Sequence, residues 1–272
     1  MIMSPTALQW LQHLCAQAKA CGLAHVDLLI DCALFDYPLL RRLNQLAPSP
    51  RYRLLFQDSP ERAFADQGPV LVRVLLFNTA QRDWLSGFLQ VCYRRSRVLA
   101  LFSRWSFDAL GERLGWCTQA EWEQGHKSGV LRYYDTRLFR LVCELLDPDQ
   151  LKMLHEGVIN WQWIDRDGKA CQMAGFDVRQ RAAGRGALAL RLSDAQVTEV
   201  GALSDTQQWC IRQEILPSTY GFDSFEMFTY QAFRVHVDAD RQQLIGMARE
   251  QFLQGWLAKC AAQAKGERGI DP

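Results

Sequence analysis

Between Val130 and Lys169 the chain reads VLRYYDTRLFRLVCELLDPDQLKMLHEGVINWQWIDRDGK, and the stretch leaves little slack between its elements. Leu131, Arg132, Tyr133 and Tyr134 are bulky residues suited to a pleated strand. Asp135 then offers a carboxylate to the free N–H groups of a starting helix. From Thr136 onward, Leu138, Leu141, Val142, Leu145 and Leu146 recur at the spacing of one helical face, and Asp147 ends the pattern. Asp147-Pro148-Asp149-Gln150 has the form of a capping box with proline at the first helical position, so a short helix to His155 follows. Beyond Gly157, Ile159, Trp161 and Trp163 alternate with Asn160 and Gln162. Asp165 to Gly168 then turns the chain into Ala170–Met173, giving a hairpin with one aromatic face.

Upstream, strand-like and helix-like segments alternate. Leu8, Leu11, Cys15 and Ala18 mark an amphipathic helix from near Pro5 to Gly22. HVDLLID (His25–Asp31) reads as a buried strand, Pro38 to Leu46 as a short helix and Tyr52 to Phe56 as a short strand. The apolar run Val70 to Phe77 precedes a helix over Ala80 to Tyr93, and Arg97 to Phe102 is again strand-like. Phe107, Leu110, Leu114 and Trp116 suggest a further helix. The alternation predicts an α/β fold, with mixed α+β as the alternative, built on a largely parallel sheet covered by helices. This lobe is expected over residues 1–174.

Composition shifts after Ala174. Glycine, arginine and alanine dominate residues 175–190, which read as a linker, and residues 191–272 read as a smaller, all-helical lobe. Ser193 with Gln196 and Ser204 with Gln207 form two capping boxes, predicting helix starts at Asp194 and Asp205. Asp238 is placed to cap a long final helix. Tyr220, Phe222, Phe225, Phe228, Tyr230 and Phe233 are crowded together, as in a core or an interface. Phe222, Phe225 and Phe233, with Met227 filling irregular space, suit the lobe's own core. Tyr220, Phe222, Phe225, Phe228 and Tyr230 are the candidate partner-binding residues.

The chain of 272 residues has a net charge of +1, and the charge is evenly spread, with only Arg94, Arg95 and Arg97 clustered. A nucleic-acid partner calls for a basic face or tail, so none is expected. The nine cysteines contain no CxxC pair and fit free thiols in a reducing compartment better than disulfides or a metal site. No signal peptide or membrane span is indicated, which suggests a cytoplasmic protein. Gly184, Gly186 and Ala189 satisfy GxGxxA without the strand that such a phosphate loop requires, and they fit a linker. His25, His126 and His155 are the candidates to join Asp27, Asp135 or Glu156 in acid–base chemistry, but their spacing demands none, and catalytic residues, metals and cofactors are not expected. Asp135 suits a helix cap, and Arg137 suits an ion pair with a neighbouring carboxylate.

The run Leu131-Arg132-Tyr133-Tyr134-Asp135-Thr136-Arg137-Leu138, with LLIDCALFD and GPVLVRVLL before it, resembles the bacterial family labelled domain of unknown function 4123. Its members act as adaptors, or effector chaperones, in type VI secretion. They carry an aromatic-Asp-Pro-Arg motif after an Arg-aromatic pair, then a helix and a Trp-bearing strand. Arg132, Tyr134, Asp135 and Arg137 match, as does Trp161 or Trp163, while Thr136 stands in place of the proline. The resemblance spans about His25 to Lys169. It implies a non-enzymatic cytosolic protein that binds a toxic effector and helps load it onto the VgrG spike, with the motif residues structural or partner-orienting. An enzyme on the same sheet, a hydrolase or nucleotide-binding protein, is the alternative, and a regulator outside type VI secretion a third.

Overall fold

A computed structural model describes residues 7–34, 38–92, 97–179 and 189–268. The chain divides into two compact units, Met1–Leu192 and Ser193–Pro272. The basic pair Arg94-Arg95, the first residues of the expected opening helix and most of the expected linker, with its two GxGxxA glycines, lie outside the described residues.

In the first unit, helix α1 (Ala7–Ala20) precedes strand β1 (His25–Asp31), then α2 (Leu39–Asn44), β2 (Arg51–Leu54) and β3 (Pro69–Leu75) follow. Helix α3 (Thr79–Cys92) leads to β4 (Val98–Ser103) and α4 (Phe107–Cys117). Strands β5 (Gln119–Trp122) and β6 (Lys127–Val130) precede α5 (Phe139–Leu145) and α6 (Pro148–His155). Strands β7 (Val158–Ile164), β8 (Ala170–Ala174) and β9 (Leu190–Arg191) complete the unit. The main sheet has the order β2-β3-β1-β4-β7-β8, and β6-β5-β9 form a small second sheet.

The α/β fold with a helical C-terminal part is as expected, but the main sheet is antiparallel throughout. The β3–α3–β4 connection is a crossover between strands that run the same way. It passes over β1, which lies between them and pairs antiparallel with both. Periodicity identifies the segments and their order, but which strand comes to rest beside which is decided by contacts far apart in sequence.

One sheet face carries Val26, Leu28, Ile30, Val70, Val72, Val74, Val98, Ala100 and Phe102, packed against apolar residues of α1, α2 and α3. The alternation of a strand puts Asp27, Leu29, Asp31, Arg73, Leu101 and Ser103 on the other face. Trp161 of β7 pairs directly with Leu101, so by the same alternation Trp161 and Trp163 also lie on this second face; the β4–β7 register shifts only beyond them, at Phe102/Ser103. There Phe139 of α5 meets both indoles, at ring-centroid distances of 5.0 and 5.3 Å.

Local signals are realised where their hydrogen bonds are local. Asp147 caps α6, accepting from Asp149 N and Gln150 N, while Gln150 Oε1 accepts from Asp147 N at 2.8 Å. The β7–β8 turn closes on Asp165 Oδ1, which accepts from Asp167 N and Lys169 N at 2.9 and 2.7 Å.

The second unit contains α7 (Asp194–Arg212), α8 (Phe225–Arg241) and α9 (Gly246–Arg268). Ser193 caps α7 as expected. The second capping box lies inside the same helix, because continuing the helix places Ala202, Leu203, Thr206 and Trp209 in buried positions. Asp238 falls in the last turn of α8, not at a new start. The break comes after it, where Gln243 (φ 55°) and Gly246 (φ 53°) take left-handed conformations.

Candidate interaction site

The conspicuous polar constellation of the first unit is built by Arg132-Tyr133-Tyr134-Asp135-Thr136-Arg137. The β5–β6 ladder extends one hydrogen bond past β6, with Leu131 N donating to Thr118 O at 2.8 Å. The expected strand stops there. Tyr133 and Tyr134 are both buried and meet edge to face at 5.9 Å, so they turn into the core together instead of alternating. Tyr133 Oη donates to Leu114 O at 2.8 Å, and the Tyr134 ring packs against Phe56.

The chain then makes tight turns before α5, whose first residue is Phe139, three positions later than the sequence suggests. Asp135 therefore caps a turn and not the helix: its Oδ1 accepts from Arg137 N at 3.0 Å, and the residue at the helix start, Leu138, provides no side-chain cap. Leu138 N and Phe139 N both donate to the Asp135 carbonyl.

Around this turn two carboxylates and two guanidiniums are interleaved. Arg137 forks onto Asp135 through Nε and Nη2 at 2.9 and 2.7 Å, the bidentate geometry that gives the stronger ion pairs. Arg132 Nη2 lies 2.9 Å from Asp31 Oδ2 and 3.5 Å from Asp135 Oδ2. Asp135 is fully buried and Asp31 nearly so, whereas the Arg132 side chain is 45% exposed. Arg166 Nη2 donates to the Arg137 carbonyl at 2.7 Å, tying the β7–β8 turn to the same point.

The energetics follow from burial. Burial raises the Asp31 pKa against the pull of Arg132. It also opposes the Arg132 charge, yet Asp31, Asp135 and Tyr134 together hold that guanidinium above the ordinary arginine value. Burial and then the charge of Asp31 push the Tyr134 phenol well up. A second pair lies on the same sheet face, where Arg73 forks onto buried Asp27 at 2.8 and 2.7 Å.

Asp31 is the site residue that the sequence hid. Its signal is a carboxylate closing an otherwise apolar strand, with Asp27 four residues earlier on the same face. The residue it holds is 101 positions away.

The other candidates are dispersed. His25 Nε2 lies 3.7 Å from Asp27 Oδ2. His155 contacts the Phe139 and Trp161 rings, and burial lowers its pKa to about 4. Glu156 pairs with Arg113 at 2.5 Å. Trp161 and Trp163 are core residues. In the second unit Phe228 is fully buried among Tyr220, Phe222, Phe225 and Trp256, so it is a core residue and is corrected from the partner-binding set. Tyr220, Phe222, Phe225 and Tyr230 are half-buried. Met227, expected as core filler, is 55% exposed.

None of the nine cysteines is in a disulfide, and burial pushes Cys117 and Cys143 up to about 12, which keeps these thiols protonated. Among the described residues no group of three His, Cys, Asp or Glu is placed to hold a metal ion, and no helix is long and apolar enough to cross a membrane.

The arrangement locks the end of β1, the turn before α5 and the β7–β8 turn together, leaving part of the Arg132 side chain and a smaller part of the Arg137 side chain at the surface. Residues 28–153 match a family model, the domain of unknown function DUF4123. The match begins within β1 and ends within α6, so it includes Asp31 and the whole RYYDTR turn but stops before Trp161 and Trp163. DUF4123 is associated with type VI secretion effector adaptors. Comparison with curated proteins and with solved structures gives no match.

Proposed function

We propose that this chain is a non-enzymatic adaptor that binds a type VI secretion effector in the cytoplasm and helps load it onto the VgrG spike. The observation that carries this reading is the DUF4123 match across the RYYDTR turn. The geometry of that turn is in keeping with it. The charged groups are closed on one another, Arg137 on Asp135 and Arg132 on Asp31, an arrangement suited to holding a surface in shape. We assign Arg132, Tyr134, Asp135 and Arg137 the role of positioning that surface, with Trp161 and Trp163 supporting it from the core. The second unit selects the effector, with Tyr220, Phe222, Phe225 and Tyr230 as its candidate contacts. A specific interface of this kind buries on the order of 1,600 Å² in total, with apolar contacts at its centre.

Co-expression tests the proposal. The tagged full chain should co-purify with the effector and the spike protein encoded beside it. A chain that retains neither, while remaining folded, overturns the reading.

A further inference from the structure

The main sheet ends on β8, and pairing with β7 fixes which way β8 presents its backbone. Asp165 N donates to Lys169 O at 2.9 Å and Gly175 N donates to Ile159 O at 3.0 Å. Residues 169, 171, 173 and 175 therefore turn their N–H and C=O groups towards β7. By the alternation of an antiparallel ladder, Ala170, Gln172 and Ala174 turn theirs outward, and among the described residues no strand takes them up.

Proteins guard such an edge with charge, proline or a bulge. The opposite edge, β2, carries Arg51 and Arg53, which are paired with Asp108 and Asp58. Strand β8 has no such guard. It reads Ala-Cys-Gln-Met-Ala, pairs with β7 without a register shift, and its Ala170, Gln172 and Ala174 are exposed. The residues with outward backbone groups are also symmetrical about Gln172, small on both sides and an amide at the centre.

We propose that β8 is a dimerisation edge that pairs antiparallel with β8 of a second copy, about a twofold axis at Gln172. In that register Gln172 faces Gln172 of the second copy, Ala170 faces Ala174, and Cys171 faces Met173. Each outward position becomes a hydrogen-bonded pair exchanging two backbone bonds, and the two sheets run on as one. The interface is isologous, as a twofold dimer requires.

The neighbouring strand supplies a second observation. Gln162 lies directly opposite Gln172 in the β7–β8 ladder. It is 2% exposed, and among the described residues neither its Oε1 nor its Nε2 has a hydrogen-bond partner. Pairing across the axis aligns Gln162 and Gln172 with the same residues of the second copy. Each amide in that row carries both donors and an acceptor. A foreign strand would satisfy the backbone equally, but only a second copy matches small residue to small and amide to amide at this register.

Sedimentation equilibrium of the full chain over a micromolar concentration range tests the proposal. The wild type should be dimeric. Gln172→Lys and Gln172→Glu should each be monomeric and folded by circular dichroism, because the axis sets like charges directly opposite. An equimolar mixture of the two variants should recover the dimer. A wild type that stays monomeric, a dimer that Gln172→Lys leaves intact, or a mixture that stays monomeric would overturn it.

Discussion

Arg137 and Asp135, two residues apart, close on each other through both Nε and Nη2, at 2.9 and 2.7 Å, over a carboxylate that is fully buried. The same carboxylate accepts the Arg137 backbone N–H and faces Arg132. Removing it leaves two guanidiniums without that partner and one turn without its acceptor. Breaking a fully buried pair costs about 3–5 kcal/mol. Both arginines reach solvent, so Asp135→Ala should cost about 2–3 kcal/mol, more than a helix cap alone. Asp135→Asn, which keeps the turn acceptor, should cost less. Urea midpoints measure both, and an unchanged midpoint for Asp135→Ala would show the cluster to be energetically idle.

Gly157 joins α6 to β7 with φ at +82°, and a Cβ there would stand 2.4 Å from the Trp105 ring. Its carbonyl accepts from Ser103 Oγ at 2.6 Å, and Trp105 Nε1 donates to Val178 O at 2.6 Å, so the indole has little room to retreat. Gly157→Ala meets both left-handed backbone strain and overpacking and should cost about 2–4 kcal/mol. Thermal melting of the purified variant measures it; a melting temperature equal to the wild type would mean that Trp105 moves freely.

His155 and His236 make each unit sensitive to acid. Burial lowers both pKa values from 6.5 to about 4, with Arg249 contributing at His236. The folded state keeps these rings neutral, while the unfolded chain takes up a proton as soon as pH falls through 6.5. Stability is therefore full above that value and declines towards about 4. Between about pH 7.5 and about pH 5 each histidine should cost about 1–2 kcal/mol. His155→Phe, which keeps an aromatic ring beside Phe139 and Trp161, should flatten the part that belongs to the first unit. Urea titrations at the two pH values provide the comparison, and equal pH slopes for variant and wild type would remove His155 from the account.

The parts of this fold that could be read from the sequence are those whose causes are local. The capping boxes at Asp147 and Ser193 and the Asp165 turn involve residues within four positions of each other, and each forms as written. The Asp135–Arg137 pair is equally local and was legible as an ion pair. Asp31 was not, since its partner Arg132 comes from the far side of α2, α3 and α4. The antiparallel sheet was hidden for the same reason, because a strand's pattern of burial does not name its neighbours. The Ser204 capping box shows the reverse failure. A local signal is overridden where continuing α7 buries Thr206 and Trp209.

In the second unit the aromatic cluster separates core from candidate surface. Phe228 is fully buried, with ring centroids of Phe222 and Trp256 at 5.2 and 5.5 Å, so Phe228→Ala should cost about 3–5 kcal/mol. Any loss of partner capture by that variant should track the loss of folded protein. Tyr230 is half-buried on the same helix and can be truncated at less cost to packing. If it anchors a partner, Tyr230→Ala should weaken capture by about 2 kcal/mol or more, roughly thirtyfold, without moving the melting temperature much. Melting curves and co-purification titrations on both variants distinguish the roles. Equal capture by Tyr230→Ala and wild type would take Tyr230 out of the interface and leave the contact surface to Tyr220, Phe222 and Phe225.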